Sequence, residues 1–207
     1  MKKTIPIVFI FFLVFIDLSM AQGRFKAGLK AGISTSQVSG DVYTGFHKAG
    51  FCGGATVSAK INEKWNTQLE LLFTQKGNKH FGNPKTGDYS FYLMQLNYIE
   101  MPLLVQYKQK KFTFEAGPGF GYLISGKEYD YYAEIQNALP FYKTEISVNI
   151  GVSYIIYKNI GMSWRYTNSI LPIRGFYSGA STWYNPGERN NVITFTATYT
   201  FGSEQSE

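Results

Sequence analysis

Residues 96–125 decide the fold, and they read LNYIEMPLLVQY (96–107), KQKK (108–111) and FTFEAGPGFGYLIS (112–125). Two extended segments flank a short polar turn, which is the pattern of a β-hairpin. From Phe112 to Ile124 every second residue is apolar, and the residues between them are mostly small, polar or acidic. Because side chains alternate across a strand, one face is apolar. The segments are about twice the usual 5–6 residues of a soluble strand, a length that suits a tilted strand crossing a bilayer. This hairpin predicts a membrane β-barrel.

Residues 1–21 have the three regions of a secretory signal peptide. Lys2 and Lys3 form a basic start, residues 5–16 are apolar, and residues 19–21 (Ser-Met-Ala) offer a small-x-small cleavage site. The apolar run is shorter than the roughly 20 residues that a spanning helix needs. We therefore expect residues 1–21 to be cleaved during export.

Cleavage leaves an expected barrel domain over residues 22–202, followed by a short polar tail, residues 203–207. Cys52 is the only cysteine, so an intrachain disulfide is excluded. A small exported chain without disulfides needs another source of stability, and a closed hydrogen-bonded barrel supplies one.

Eight extended segments follow the signal peptide, at about 24–34, 48–61, 65–76, 96–107, 112–125, 142–157, 160–168 and 191–201. Tight turns are predicted near Asn62, Lys110 and Lys158. The remaining connections are longer, at 35–47, 77–92, 127–141 and 170–190. Short turns on one side and long loops on the other are typical of outer-membrane barrels, with the short turns toward the periplasm. The prediction is an all-β, eight-stranded antiparallel transmembrane up-and-down barrel with short periplasmic turns and long extracellular loops.

The lumen of so small a barrel is expected to be filled by its own side chains. Charged residues fall on the inward face of the predicted strands, and they persist in a tight lumen only when paired or hydrogen-bonded. We expect a structural polar plug made of Lys30, Lys60, Glu70, Lys76, Glu100, Glu115 and Arg165. Pro102 falls within a predicted strand, where its missing N–H predicts a bulge.

Catalytic and metal-binding motifs are absent from the sequence. His47 and His80 are the only histidines, and His80 has Asp88 nearby, but no nucleophile or metal-ligand motif surrounds them. We therefore predict no catalytic, cofactor-binding or metal-binding residue. The formal net charge of +6 lacks the basic runs of nucleic-acid arms, so no nucleic-acid partner is expected.

The long connections carry aromatic residues that could contact a partner. The candidates are Phe81, Tyr89, Phe91, Phe176, Tyr177, Trp183 and Tyr184. The alternative is that these rings rest on the membrane girdle or on each other.

Three stretches carry a family resemblance: Leu69 to Gly77 (LELLFTQKG), Tyr98 to Pro102 (YIEMP) and Glu115 to Pro118 (EAGP). They resemble the PorT-like outer-membrane β-barrel family of Bacteroidetes, and the resemblance spans essentially the whole mature chain. It implies an eight-stranded outer-membrane barrel and makes Pro102 a family feature. It also implies a link to type IX-like protein secretion, the role of the founding member.

The leading functional hypothesis is a non-enzymatic outer-membrane barrel that binds or scaffolds through its loops or periplasmic rim. Expected partners are outer-membrane lipids, lipopolysaccharide and envelope proteins. Three alternatives stay open: a small barrel enzyme acting on lipid or peptide through the loop histidines, a narrow channel or hydrophobic-ligand carrier, and a soluble lipocalin-like carrier.

Overall fold

The computed structural model describes residues 24–41, 43–136, 138–175 and 187–201. Within these ranges eight antiparallel strands form a closed barrel, in which each strand pairs with the next and the last pairs with the first. They are β1 (Phe25–Ser39), β2 (Lys48–Lys60), β3 (Trp65–Phe81), β4 (Phe91–Gln109), β5 (Phe112–Tyr129), β6 (Thr144–Tyr157), β7 (Ile160–Ser169) and β8 (Arg189–Thr200). A short 3-10 helix, Pro84–Thr86, lies between β3 and β4. The predicted fold class is confirmed, whereas the predicted signal peptide lies outside the described residues.

Tight turns close one end of the barrel at the three predicted positions. Lys110 and Lys158 begin the two-residue turns after β4 and β6 with positive φ of 56° and 40°, and the tight hairpin turns of both primed types require positive φ at this first central position. In the turn after β2, Asn62 accepts hydrogen bonds from the backbone N–H groups of Lys64 and Trp65, each at 2.9 Å. Local side-chain chemistry thus fixes the short-turn end.

The connections at the other end are shorter than the sequence predicts. The wall continues past the predicted strand ends, and β3 pairs with β4 as far as Phe81 opposite Phe91. Polar residues such as Asn78 and Lys79 interrupt the hydrophobic alternation there, although the backbone ladder goes on. The long connections are residues 40–47, 82–90, 130–143 and 170–188.

The distribution of polar and apolar side chains is the inverse of that in a soluble protein, with apolar residues outside and polar residues inside. Outward Leu71 and Ile150 are 53% and 58% exposed, whereas their inward neighbours Glu70 and Asn149 are 1% and 2% exposed. Soluble monomers rarely expose so continuous an apolar surface, and a lipid-facing barrel wall requires one. No helix in the described ranges is long and apolar enough to cross a bilayer.

The bulge predicted at Pro102 is wrong. The pairing of β4 with β3 skips from Leu69 opposite Leu103 to Leu72 opposite Glu100 without a change of register. The register shift of β4 against β5 lies between Asn97 and Tyr98 instead. The missing N–H therefore interrupts the ladder locally, and the inward and outward faces stay in phase through Pro102.

The central lipid-facing band predicts a depth-dependent cost for charge. Ile150→Arg, midway along β6, is expected to lower the free energy of unfolding by about 2–4 kcal/mol, and Tyr157→Arg at the end of the same strand by about 0–1 kcal/mol. Urea titration of the protein folded into lipid vesicles measures both. Equal effects at the two positions would contradict a bilayer centred on the barrel wall.

Candidate functional site

A guanidinium group joins two carboxylates in the middle of the lumen. Nη1 and Nη2 of Arg165 on β7 donate to the two carboxylate oxygens of Glu70 on β3 at 2.6 and 2.9 Å. Nε and Nη2 donate to Oε1 of Glu115 on β5 at 2.8 and 2.6 Å. Lys30 on β1 adds a bond to Glu70 at 2.9 Å. These four side chains, the central ion cluster, tie four strands together across the barrel, and none is more than 4% exposed.

A second group of charges lies nearer the long connections. Lys76 Nζ is 2.6 Å from Glu100 and 2.9 Å from Glu145. Ser169 Oγ and Asn190 Nδ2 also donate to Glu145, at 2.7 and 2.9 Å. We call these five residues the upper ion cluster. The carboxylates of both clusters thus have the charged partners and hydrogen bonds that burial demands.

The space between the two ion clusters has room for about one water at most. It measures about 10 Å³ and is lined by Lys30, Lys76, Glu100 and Arg165 among others. One water needs roughly 10–15 Å³. The described part of the lumen is therefore a packed polar interior at this level.

The structure brings together most of the residues predicted for the polar plug. Those inside are Lys30, Glu70, Lys76, Glu100, Glu115 and Arg165. Lys60 does not join them, because β2 ends at this residue and its side chain is exposed at the rim. Glu145 does join, and the prediction omitted it although the alternation of the sixth segment places it on the inward face.

Apolar side chains close the lumen on the long-loop side. This apolar layer consists of Val38, Met94, Leu96, Tyr98, Leu123 and Ile173, each at most 2% exposed. Ile173 belongs to the fourth long connection, and its backbone is fixed there. Its C=O accepts from Tyr142 N–H, and its N–H donates to Glu188 C=O, both at 2.7 Å. The described part of this connection thus folds into the barrel mouth.

Arg174, the residue after Ile173, is the centre of a third group of side chains, the loop-end cluster, which also contains Tyr92, Glu128, Phe141 and Glu188. Its Nη1 and Nη2 donate to Glu128 at 2.6 and 2.8 Å, and its Nε donates to Glu188 at 2.7 Å. The guanidinium lies 4.6 Å from the ring centroid of Phe141, and the Tyr92 hydroxyl donates to Glu128. The cluster attaches the third and fourth connections to the wall.

Two carboxyls at this end have raised pKa values. Burial raises the pKa of Glu188 above its usual 4.5, and the hydrogen bond from Arg174 offsets this only in part. Burial likewise raises the pKa of Asp41 above 3.8, against a hydrogen bond from Asn78. Asp130 shows the opposite effect, because the backbone N–H groups of Ala133 and Tyr132 lower its pKa.

The candidate histidines do not assemble a catalytic site in the described residues. His80 Nε2 lies 3.3 Å from Asp88 Oδ2, and its ring stacks on Tyr43 at 4.3 Å. Ser90 Oγ donates to Asp88 at 2.6 Å, so serine and histidine both bond to the carboxylate. A catalytic triad instead needs the serine hydroxyl bonded to the histidine. The described contacts of His47 include neither His80 nor a carboxylate, and no group of three metal-ligating side chains is found in the described ranges.

The predicted loop aromatics have different outcomes. Tyr89 lies on the second connection and is 73% exposed. Phe81 and Phe91 are not loop residues; they face each other at the ends of β3 and β4, with ring centroids 5.2 Å apart. Phe176, Tyr177, Trp183 and Tyr184 lie outside the described residues. The prediction missed Tyr131 and Tyr132, which are 73% and 92% exposed on the third connection.

The central ion cluster predicts a large cost for losing its guanidinium. Arg165→Met leaves Glu70 and Glu115 buried with only Lys30 to compensate them, so the free energy of unfolding is expected to fall by about 3–5 kcal/mol. Lys60→Met at the rim is the control and should change it by no more than about 0.5 kcal/mol. Adding Glu70→Gln to Arg165→Met should recover part of the loss. Unfolding of Arg165→Met at the wild-type urea concentration would contradict this role.

The raised pKa of Glu188 predicts a particular pH dependence. The unfolded chain loses this proton first, so the stabilising contribution is complete below about pH 4.5 and is lost as pH rises through the folded-state pKa. Glu188→Gln cannot lose a proton, so its stability relative to wild type should increase over that rise. Asp130→Asn should show the opposite trend, losing relative stability as pH rises, because the lowered pKa of Asp130 favours its ionised form in the folded state. Urea titrations from about pH 2 to about pH 8 measure both differences, that of Asp130→Asn below its usual pKa of 3.8, and parallel curves for Glu188→Gln and wild type would refute the assignment.

Comparison with known proteins identifies the family. Residues 20–174 match the family described as outer membrane protein beta-barrel domain, whereas no curated protein matches the chain. Among solved structures, the chain is similar to Ail, the attachment invasion locus protein of Yersinia pestis, with a TM-score of 0.51 and 14% identity over 86% of this chain and 99% of Ail.

Two further structures resemble it more distantly. Neisserial surface protein A has a TM-score of 0.47 and 15% identity, over 86% of this chain and 97% of that protein. OprG of Pseudomonas aeruginosa has a TM-score of 0.41 and 13% identity, over 86% of this chain and 96% of OprG. At such identities the likeness to Ail shows the fold alone, and the family match covers well over half of the chain. The protein therefore belongs to the outer membrane protein beta-barrel domain family and is an eight-stranded barrel of the outer membrane.

Proposed function

We propose that this barrel is a non-enzymatic binding or scaffolding protein that contacts its partners through the long-loop end. The observation that carries the proposal is the filled lumen. The space between the two ion clusters is about 10 Å³, and the apolar layer lies above it. An interior filled in this way leaves the surface at the barrel ends to carry the function.

The long-loop end offers rings suited to contact. Tyr131 and Tyr132 pack edge to face, with centroids 5.8 Å apart, and both remain largely exposed. Tyrosine supplies a large contact area with few rotatable bonds and a hydroxyl that can hydrogen-bond, which is why it is frequent in interfaces. Asp130 accepts hydrogen bonds from the backbone N–H groups of Tyr132 and Ala133 at 2.8 and 2.9 Å. These bonds stabilise the turn that carries the two tyrosines.

The alternatives have less support. An enzyme acting through the histidines would need a nucleophile bonded to His80, whereas the Ser90 hydroxyl is directed to Asp88. A narrow channel or a carrier would need a continuous lumen or an apolar cavity, and the lumen between the two ion clusters has a free volume of only about 10 Å³. If the protein turned over lipid A or a peptide, and the double variant His47→Ala, His80→Ala did not, the enzyme alternative would be supported. Steady conductance in a planar bilayer would support the channel alternative.

The membrane and the cell envelope would supply the other contacts of the barrel. Outer-membrane lipids and lipopolysaccharide would contact the wall, an envelope protein would contact the loops, and the chain would be exported through cleavage of residues 1–21. The resemblance to the PorT-like family favours a protein-secretion assembly as the source of that partner. Loss of secreted proteins on gene deletion tests this part separately.

A photo-cross-linking amino acid at position 132 in living cells tests the loop contact. We expect a discrete adduct with a protein or with lipopolysaccharide, and we expect Tyr131→Ser to reduce it because the neighbouring ring is lost. The matched control is position 157 at the short-turn end, where Tyr157 is 61% exposed but should yield only lipid adducts. No adduct at position 132, or the same protein adduct at both positions, would contradict the proposal.

A further inference from the structure

The outward face of β3, β4 and β5 becomes polar toward the long-loop end. On β4 the run of lipid-facing apolar residues ends at Ile99, and Asn97 follows on the same face. Asn97 Oδ1 accepts a hydrogen bond from Gln75 Nε2 of β3 at 3.2 Å, and its Nδ2 donates to Ser125 Oγ of β5 at 2.8 Å. Polar side chains are costly against hydrocarbon, so this polar row marks the end of the apolar belt on these strands.

Beyond the polar row, the same face of β4 and β5 forms a groove with the turn at residues 130–133. The groove has a volume of about 350 Å³, which is within the range of roughly 300–1,000 Å³ that is usual for ligand sites. Met94 and Leu96, the inward neighbours along β4, belong to the apolar layer, so the groove is on the outside of the barrel. We call it the aromatic groove, and its lining includes Phe91, Leu93, Gln95, Tyr129, Tyr131 and Tyr132.

The height of the aromatic groove places it outside the hydrocarbon. With a rise of about 3.3 Å per residue and a strand tilt of about 40°, Leu93 lies roughly 15 Å further out than Ile99. The rings of a membrane girdle lie at the boundary itself, and a polar headgroup region adds only about 5–7 Å on each side. At this height the outer leaflet surrounds a barrel with the saccharide of lipopolysaccharide, and acyl chains do not reach it.

The charges next to the groove are already compensated. On the same outward face, Lys127 pairs with Glu134 at 3.0 Å, and Lys79 Nζ lies 4.3 Å from the ring centroid of Phe81. Within the described lining, Asp130 is the one charged residue, and its Oδ1 accepts two backbone N–H groups. The groove therefore favours an uncharged ligand over a phosphate group.

The lining combines ring faces with hydrogen-bonding groups. Tyr131 and Tyr132 are largely exposed, and the exposed Gln95 side chain offers both an amide donor and an acceptor. A sugar ring has the complementary surface, with C–H groups on its faces and hydroxyls around its edge. The C–H groups carry a small positive charge and stack on the negative face of an aromatic ring, while the hydroxyls bond to amide and phenol groups.

We propose that the aromatic groove binds an uncharged sugar unit of the lipopolysaccharide that surrounds the barrel. Tyr129 and Tyr132 supply ring faces for stacking, and Gln95 supplies hydrogen bonds to the sugar hydroxyls. The inference rests on the proposed function, because it assigns a chemical class to one contact of the long-loop end. It adds a defined site on the outer wall, below the exposed turn.

A nuclear magnetic resonance titration of the full-length protein in zwitterionic lipid nanodiscs tests the site. The probe is the lipid-free oligosaccharide released from the lipopolysaccharide of the producing cell. We expect saturable shifts of the methyl signals of Leu93, whereas those of Leu103 in the lipid-facing belt stay in place. Tyr129→Leu, which removes the ring but stays apolar, should weaken binding about 3- to 10-fold. Gln95→Ala should weaken it about threefold.

The matched control is Tyr142→Leu, which removes a ring at the same end of the barrel. Tyr142 is 53% exposed and is not part of the described groove lining, so the dissociation constant should change by less than about twofold. Urea titration verifies that each variant is folded. Equal effects of Tyr142→Leu and Tyr129→Leu, or an unchanged affinity in both Tyr129→Leu and Gln95→Ala, would overturn the site.

Two further arms test the source of the ligand and separate this site from the proposed function. A maltose oligosaccharide of similar length should bind more weakly, and equal binding would overturn the assignment to lipopolysaccharide. A protein adduct at position 132 that Tyr129→Leu abolishes, together with no saccharide binding, would assign the groove to a protein. That result would overturn the saccharide site and leave the proposed loop contact intact, whereas absence of both binding and adduct would contradict both.

Discussion

The closed ring of backbone hydrogen bonds is the constraint on which the rest of this structure depends. In hydrocarbon, a peptide N–H or C=O without a partner costs several kcal/mol, and an open sheet would expose a row of them at each edge. Pairing of β8 with β1 removes both edges. Once the ring closes in lipid, the outward side chains must be apolar, so the charged groups of the membrane-spanning wall lie in the interior, below the apolar layer.

That inversion explains the ion clusters. An interior of eight strands is too narrow for bulk water, so each buried charge needs protein partners. Arg165 forms ion pairs with two carboxylates, and Lys76 forms ion pairs with two others. Arg165 thus links β7 to β3 and β5, and Lys76 links β3 to β6 as well as to its neighbour β4. The links between strands that are not neighbours in the ring resist flattening of the barrel. The loop-end cluster around Arg174 repeats the arrangement where the connections meet the wall.

The fold could be predicted because its signals are periodic and local. Alternation identified eight strands and the inward face, and turn chemistry identified Asn62, Lys110 and Lys158. The errors arose where neither signal operates. The position of the Lys60 side chain depends on where β2 ends, and the exposure of Tyr132 depends on a turn organised by Asp130. Pairing between distant strands, as in Arg165 with Glu70, follows from barrel closure and register and leaves no local signal.

The central claim is that the outward residues face lipid chains and the inward residues do not. Nuclear magnetic resonance of the protein in nanodiscs, with a nitroxide carried in the middle of the lipid chains, tests it directly. The account predicts broadening of the methyl signals of Val57, Leu71 and Ile150, whereas those of Leu72, Leu104 and Val192 stay sharp. Equal broadening of both sets, or broadening of neither, would contradict a closed barrel in the bilayer.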